Sequence, residues 1–517
     1  MVKSLEKEDI ISLKNEKEAE NNLKKISKKI LFIYRAEDRE SLGIEYLSSV
    51  LKSSGHKTDL LIYYEKNNFR NRLIKRIKYF NPDFICFSVV TDNYHWASEI
   101  AKLVKKNTET PIVFGGIQVT SCPEEVINRD FVDFIVIGDG EYALLELVEN
   151  PKKENIKNVW LKKNGKIIKN PLRPLVDLNS LPFPDKELFY KEAPYLKHQY
   201  MCMTSIGCPF NCSFCFNCHL KELYKNQKWF RRLNVERIIN QLKIAKKKFN
   251  YSSIRFDDDC FTANKEWLKE FLKEYIKEIN VPFNMASHSI FIDEEIASLL
   301  KKAGCLEIEI GVQSPIERIR KDICKRNDSN ELIINAVKKI KKQGLELNID
   351  HIFCLPSEKI SDYQEGGGLD FYINLRPTRM TNHILQYYPN TEMVEIGKKY
   401  GEITEEDVKE IIRGDYKNTT FNMYKIDPKK VRKIDERLIA ISNFLCWTPI
   451  LPLSFNKFIL KRKLYFKLFN SQVFKTLNKL TLIIPYFYSL ELMRYFWFSR
   501  KSRMLFHVCR IRARNER

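Results

Sequence analysis

Apolar positions come in short blocks through the first 150 residues. Residues 29–34, 59–63, 84–90, 111–114 and 134–137 are compact apolar runs, dense enough to be strands covered on both faces. Helix-length segments separate them. In 42–51, Leu47, Val50 and Leu51 share a helical face, and Gly55 stands where a helix stop belongs. The pattern predicts a doubly wound, mostly parallel sheet of about five strands, with its ligand edge at the carboxyl ends of the strands.

Residues 151–199 read as a connector. Asn164-Gly165, between 159–163 and 166–169, predicts a small hairpin. From about 200 to 390 the rhythm becomes regular. Strands are predicted at 201–205, 253–256, 282–287, 306–312, 346–353 and 381–386, with helices at 235–249, 265–279, 293–303, 331–343 and 362–374. Asn234 is a candidate N-cap for a helix whose Val235, Ile238, Ile239, Leu242 and Ala245 form one face. Gly304 and Gly344 close two others. This alternation predicts a partial (β/α)6 barrel with its functional groups at the strand carboxyl ends. The expected class is therefore α/β: a charged tail (1–28), a Rossmann-like doubly wound domain (29–150), a connector (151–199), a barrel (200–395) and a helical extension (396–517).

Composition, 44% hydrophobic and 30% charged, is that of a globular chain. The net charge of +22 is uneven: residues 451–517 hold 15 Lys and Arg against only Glu491 and Glu516, together with 14 aromatics. A basic, aromatic tail suits a membrane-interface element or a nucleic-acid surface, and a cap packed on the catalytic domain is the plainer reading. No stretch reaches the roughly 20 apolar residues of a spanning helix. Thirteen cysteines are too sparse for a disulfide scaffold, and no secretory signal opens the chain. A cytoplasmic, reduced protein is expected, with peripheral membrane contact as one use of the tail.

The candidate chemistry starts at Cys208, Cys212 and Cys215, spaced C-x3-C-x2-C after an apolar run. Three close thiolates can hold three irons of a cubane cluster and leave the fourth open for a ligand. Zinc is the alternative, because Cys218 and His219 follow, although zinc sites usually come as two separated ligand pairs. Further on, Asp257, Asp258 and Asp259 follow the second barrel strand. Ser287 and His288 end the third, and Glu309, Gln313 and Ser314 lie on or after the fourth. On the amino-terminal sheet, the ligand edge carries Gly115-Gly116 and Gly138-Asp139-Gly140-Glu141, where missing side chains let a bulky ligand approach the backbone.

The cysteine loop, with Phe214 before its last cysteine, resembles the cluster motif of the radical S-adenosylmethionine (SAM) enzymes. That resemblance implies a 4Fe–4S cluster on Cys208, Cys212 and Cys215 whose free iron chelates SAM. Residues 256–261 resemble the acidic F-x-D-D-x-F variant of cobalamin-dependent members. They imply Asp258 as the partner of the SAM ammonium, with Asp257 and Asp259 also able to serve. Residues 311–314 resemble the G-x-[EQ]-S pattern, which implies Gln313, with Phe214, Ser287 and Glu309, on the SAM side. Residues 350–358 resemble the loop bordering the adenine, except that Cys354 and Ser357 stand where relatives usually have glycine. Tyr388 to Thr391 resembles the P-x-T segment that closes the last strand.

Residues 42–47, the Gly55-His56 turn and the two glycine loops, in that order, resemble the cobalamin-binding domain preceding many radical SAM enzymes. The implied contacts are Gly43, Gly115, Gly116, Gln118, Thr120, Gly138, Gly140 and Glu141. The D-x-H-x-x-G signature is missing, and neither His56 nor His95 sits in that context, so the cobalt is expected to have no protein imidazole. Gln118 stands where relatives often have histidine. The family implies methyl transfer to an unactivated carbon by a 5′-deoxyadenosyl radical and methylcobalamin. Radical cyclisation of the anaerobic porphyrin cyclase type is the alternative. A methylthiotransferase would need a second three-cysteine set, and only Cys86 and Cys122 precede residue 200. The partners implied are a small-molecule or lipid-like substrate and a flavodoxin or ferredoxin reductant, with nucleic acid not expected. No single catalytic side chain stands out.

Overall fold

A computed structural model describes residues 27–35, 39–64, 68–415, 436–449 and 451–469. The predicted tail 1–28, apart from its last two residues, and the basic stretch 470–517 lie outside the described residues. The chain divides into two units, the first holding residues up to 176 and 180–196.

The first unit is built on a sheet of order β2-β1-β3-β4-β5-β6-β7: β1 (Lys29–Arg35), β2 (Lys57–Tyr63), β3 (Phe84–Ser88), β4 (Ile112–Gly115), β5 (Phe134–Val136), β6 (Val159–Lys163) and β7 (Lys166–Ile168). The first five strands run parallel. Ile30, Leu31, Phe32 and Ile33 are consecutive and all buried, as a strand covered on both faces requires. Ser41 caps the helix Leu42–Ser53, and Gly55, at φ +87°, closes it. The hairpin read as part of the connector in fact extends the sheet, pairing antiparallel with β5 from Phe134↔Leu161 to Val136↔Val159. Its turn was legible, but its neighbour was not, because strand pairing is non-local.

The second unit contains six parallel strands in the order β15-β14-β13-β12-β11-β8: β8 (Gln199–Cys202), β11 (Ser253–Phe256), β12 (Phe283–Ser287), β13 (Cys305–Gln313), β14 (Glu346–Phe353) and β15 (Arg379–Ile384). This is the partial barrel. The first predicted strand, 201–205, is broken: β8 stops at Cys202, and β9 (Ser205–Ile206) pairs instead with β10 (Arg231–Arg232), bracketing the cysteine loop. Helix N-caps carry much of the regularity. Asn234, Asn264, Asp293 and Ser329 each accept a backbone N–H from three residues on.

Along β13, Ile308, Ile310 and Val312 are buried, while Glu307, Glu309, Gly311 and Gln313 alternate with them on the other face. The predicted helix 362–374 is two helices, Ile360–Gln364 and Gly368–Leu375. Gly366-Gly367-Gly368 breaks it: Gly367 sits at φ +76°, and a Cβ on Gly366 would lie 2.7 Å from the Asp362 carbonyl oxygen. Five helices between Glu392 and Phe469 form the carboxyl-terminal extension among the described residues. None of the described helices is long and apolar enough to cross a membrane.

Candidate functional site

The cysteine loop leaves β9 through Gly207, at φ +89°, where a Cβ would stand 2.8 Å from the indole Nε1 of Trp229. Ser213, between two of the cysteines and wholly buried, then pins the loop. Its N–H donates to the Cys324 carbonyl at 3.2 Å, its Oγ donates to the Ile323 carbonyl, and its own carbonyl accepts the Met393 N–H at 2.9 Å. Phe214 packs against the cluster of Ile319, Leu355, Tyr387 and Met393. Cys208, Cys212 and Cys215 stay partly exposed on the loop these contacts fix.

Burial pushes the Cys208 thiol up to about 12 and the Cys215 thiol up to about 11. An iron replacing the proton would release it on binding. Cys218 donates its thiol to the Cys215 carbonyl at 2.9 Å, an engagement inside the turn rather than toward a shared metal. Among the described residues no three His, Cys, Asp or Glu side chains gather as ligands of one ion. A cubane requires no such convergence, since each thiolate takes its own iron. The donor set fits a cluster.

The acidic triplet divides its labour. Asp258 is 2% exposed, and both its oxygens are occupied: Oδ2 accepts the Thr204 N–H at 2.9 Å, and Oδ1 accepts the hydroxyls of Thr204 at 2.6 Å and Ser205 at 2.5 Å. It ties the break between β8 and β9 to the end of β11, a buttressing role. Asp257 accepts Arg255 Nε at 2.9 Å. Asp259 is the exposed member and accepts Asn217 Nδ2 at 3.0 Å. The same nitrogen lies 3.7 Å from Cys215 Sγ.

Ser287 is buried and bonded to Thr262 at 2.5 Å. Its neighbour His288 accepts the Ile290 N–H on Nδ1 and stacks on Phe210 of the cysteine loop, with ring centroids 4.1 Å apart. Burial, with Arg326 nearby, lowers the His288 pKa to about 3, which leaves a neutral imidazole with its proton on Nε2. Glu309 accepts Asn348 Nδ2 at 3.1 Å, and Asn348 accepts Thr381. Burial and the adjoining Glu309 carboxyl hold Asp350 well above the usual carboxylate range. Gln313 turns back at φ +68°, its amide lying over the space a Cβ on Gly311 would need. Cys354 and Ser357, which replace the expected glycines, still adopt φ +63° and +66°. The loop keeps its glycine geometry without glycine.

In the first unit, Gln118 is fully buried and accepts Thr91 Oγ1 at 2.8 Å. Thr120 donates to the Gly116 carbonyl and accepts the Gly138 N–H at 2.9 Å, stitching the two glycine loops together. Both side chains brace the loops of this edge. Gly116, at φ +98°, is needed because a Cβ would sit 2.6 Å from the Val89 carbonyl oxygen, and Gly140 packs on Leu47. A Cβ on Gly43 would meet nothing within 4 Å, so the backbone there is open to an approaching group. Glu141 begins the helix Glu141–Glu149. His56 precedes β2, at the amino ends of the strands, and accepts the Lys28 N–H, while His95 is exposed on the helix Thr91–Lys105. The edge fits a large cofactor seated on backbone.

One contributor escaped sequence reasoning. Arg326 places Nη1 3.8 Å from Cys212 Sγ. It lies 114 residues from its partner in the chain, beyond the reach of local pattern.

Comparison with known proteins identifies both parts of the chain. Residues 28–148 match the B12 binding domain model and residues 203–365 the Radical SAM superfamily model. An uncharacterised methyltransferase of Pyrococcus horikoshii is 30% identical over 61% of this chain and 70% of its own length. The anaerobic magnesium-protoporphyrin IX monomethyl ester cyclase of Rubrivivax gelatinosus is 22% identical over 62% of this chain and 60% of its own. Among solved structures, the radical SAM methyltransferase TsrM of Kitasatospora setae, with cobalamin and a [4Fe–4S] cluster bound, superposes with TM-score 0.61 at 17% identity, over 72% of this chain and 75% of that one. That likeness is one of fold.

Proposed function

Because this chain belongs to the radical SAM enzymes that carry an amino-terminal cobalamin-binding domain, we propose that it methylates an unactivated carbon of a small-molecule substrate. The observation that supports this most is the barrel's three-thiol loop in the same chain as a glycine-edged sheet matched as a B12-binding domain. When bound, the 4Fe–4S cluster and SAM supply a 5′-deoxyadenosyl radical, and cobalamin supplies a methyl carrier.

The chain's own residues do the positioning. Cys208, Cys212 and Cys215 hold the cluster, and Ser213 keeps their loop from shifting. Asp259, exposed beside Asn217, takes the SAM ammonium, while Ser287, Gln313 and Phe214 border SAM. Gly43, Gly115, Gly116, Gly138 and Gly140 let cobalamin approach the first sheet. Glu309 and Asp350, adjoining carboxyls on neighbouring strands, offer hydrogen bonds to a polar group of the substrate.

Reconstituted anaerobically with SAM bearing a deuterated methyl group, the chain should release 5′-deoxyadenosine, and a Cys208→Ala variant should release none. Cleavage that persists in that variant would refute the assignment. The similarity to the porphyrin cyclase supports a second reading, radical cyclisation, which would give an oxidised product without the label. A flavodoxin or ferredoxin supplies the electron. The enzyme works in the cytoplasm, with the basic tail as its membrane contact; a carbonate wash that leaves all of it soluble would count against that contact.

A further inference from the structure

Arg326 is placed with unusual care for a charged side chain in a loop. After the turn Ile319–Ile323, Lys325 reverses the chain at φ +56°, and the Arg326 N–H returns to the Arg320 carbonyl at 2.8 Å. The side chain points inward and is only 8% exposed. Asp328, 6% exposed, meets it with Oδ1 3.3 Å from Nε and Oδ2 3.1 Å from Nη2. Nη2 also donates to the Gly311 carbonyl, at the end of β13, at 2.7 Å. Arg320, itself wholly buried, donates to the carbonyls of Asp328 and Ser314 and fixes that segment in turn. These bonds set the plane of the guanidinium and leave Nη1 facing Cys212 Sγ at 3.8 Å.

Burying a cation costs several kcal/mol unless it is well paired, and pairing with Asp328 alone could be had at the surface. The placement puts a fixed positive charge and an N–H donor beside a cluster ligand. We propose that Arg326 is a positioning residue that raises the reduction potential of the cluster on Cys208, Cys212 and Cys215, and that Asp328 limits the rise. The inference rests on the assignment of those thiols to a 4Fe–4S cluster. One electron arriving from an external reductant makes the cluster one unit more negative, with no bond made or broken in the protein. A cation donating to a ligand sulfur stabilises that reduced form more than the oxidised one, and a nearby anion acts in the opposite sense. Arg326 and Asp328 therefore pull the potential in opposite directions.

The test is a redox titration of the anaerobically reconstituted full chain, followed by the electron paramagnetic resonance signal of the reduced cluster. Arg326→Gln should lower the one-electron equilibrium constant at least tenfold, a shift of about 59 mV to more negative potential. Arg326→Lys, which keeps the charge without the planar fork, should fall between. Asp328→Asn should move the potential the other way, which general damage to the loop would not do. A loaded Arg326→Gln protein with the wild-type potential overturns the inference, as does an Asp328→Asn protein that shifts down or not at all. If Arg326→Gln takes up no cluster, the sign of the Asp328→Asn shift decides alone. A wild-type chain that binds no cluster defeats the functional reading and this inference together; an unmoved potential in loaded protein defeats this inference only.

Discussion

Asp258 and Asp259 are neighbours in one acidic run but differ in burial and partners, and opposite dependences are expected of them. Asp258 accepts three hydrogen bonds inside the barrel, one of them from the backbone N–H of Thr204, which cannot rotate to another acceptor. Asp258→Ala strands that donor, leaves the two hydroxyls to find other partners, and removes the anion opposing the mostly buried Arg232. Bonds to a charged acceptor contribute about 1.5–3 kcal/mol each, with partial recovery through the hydroxyls. The expected cost is about 4 kcal/mol, or roughly 8–16 °C in melting temperature for a domain of this size. Asp258→Asn can flip to serve the N–H through its oxygen and the hydroxyls through its amide, so it should cost about 1–2 kcal/mol. Asp259→Asn, at an exposed site, should leave stability within about 0.5 kcal/mol yet weaken SAM binding about 10- to 100-fold by removing a charge-assisted partner. Thermal unfolding of the reconstituted protein, beside equilibrium SAM binding, separates the two. The reasoning is refuted if Asp258→Ala melts with the wild type while losing SAM, because its carboxylate would then face the ligand.

Three further outcomes follow from the geometry. Cys354→Gly and Ser357→Gly place the residue suited to φ +63° and +66° at each position, and should each raise stability by about 0.5–1 kcal/mol in denaturant unfolding. Gly116→Ala forces a Cβ to 2.6 Å from the Val89 carbonyl oxygen and 2.7 Å from its nitrogen at φ +98°; with only backbone to give way, it should cost more than about 3 kcal/mol and abolish cobalamin retention on desalting. Burial raises the Glu358 pKa to about 8, above its unfolded value of about 4.3. Its contribution to stability is therefore complete below about pH 4 and is lost as pH rises through about 8, with a slope of at most about 1.4 kcal/mol per pH unit. Glu358→Gln should flatten that decline in melts taken from pH 5 to 9.

What could be read directly in the chain was local. The cysteine spacing, the helix cap at Asn234, and the glycine stops at Gly55, Gly304 and Gly344 depend on residues within a few positions of one another. The strand rhythm, with its alternation of core and site residues along β13, followed from periodicity. Features requiring distant partners were out of reach. Nothing near Asp258 in sequence announces that Thr204 and Ser205 occupy its oxygens, and nothing near Cys212 announces Arg326. Gln118 and Thr120 stand beside a glycine pair, and nothing near them in sequence announces the bonds to Thr91 and Gly138 that brace the loops. The Gly366–Gly368 run is visible in the chain, but the helix-forming residues across 362–374 outweigh it in a propensity reading, although three glycines with one at φ +76° cannot sustain a helix. The glycine conformation of Cys354 and Ser357 points the same way: the fold fixes φ there, and the residues conform to it.

The most direct test of the account is a visible absorption spectrum of the full chain reconstituted anaerobically with iron, sulfide and hydroxocobalamin and then desalted. The expected result is a broad 4Fe–4S band together with retained cobalamin, and loss of the iron–sulfur band alone when Cys208, Cys212 and Cys215 are replaced by alanine. A cluster without cobalamin would contradict the methyl-transfer mechanism and reduce the first unit to a scaffold.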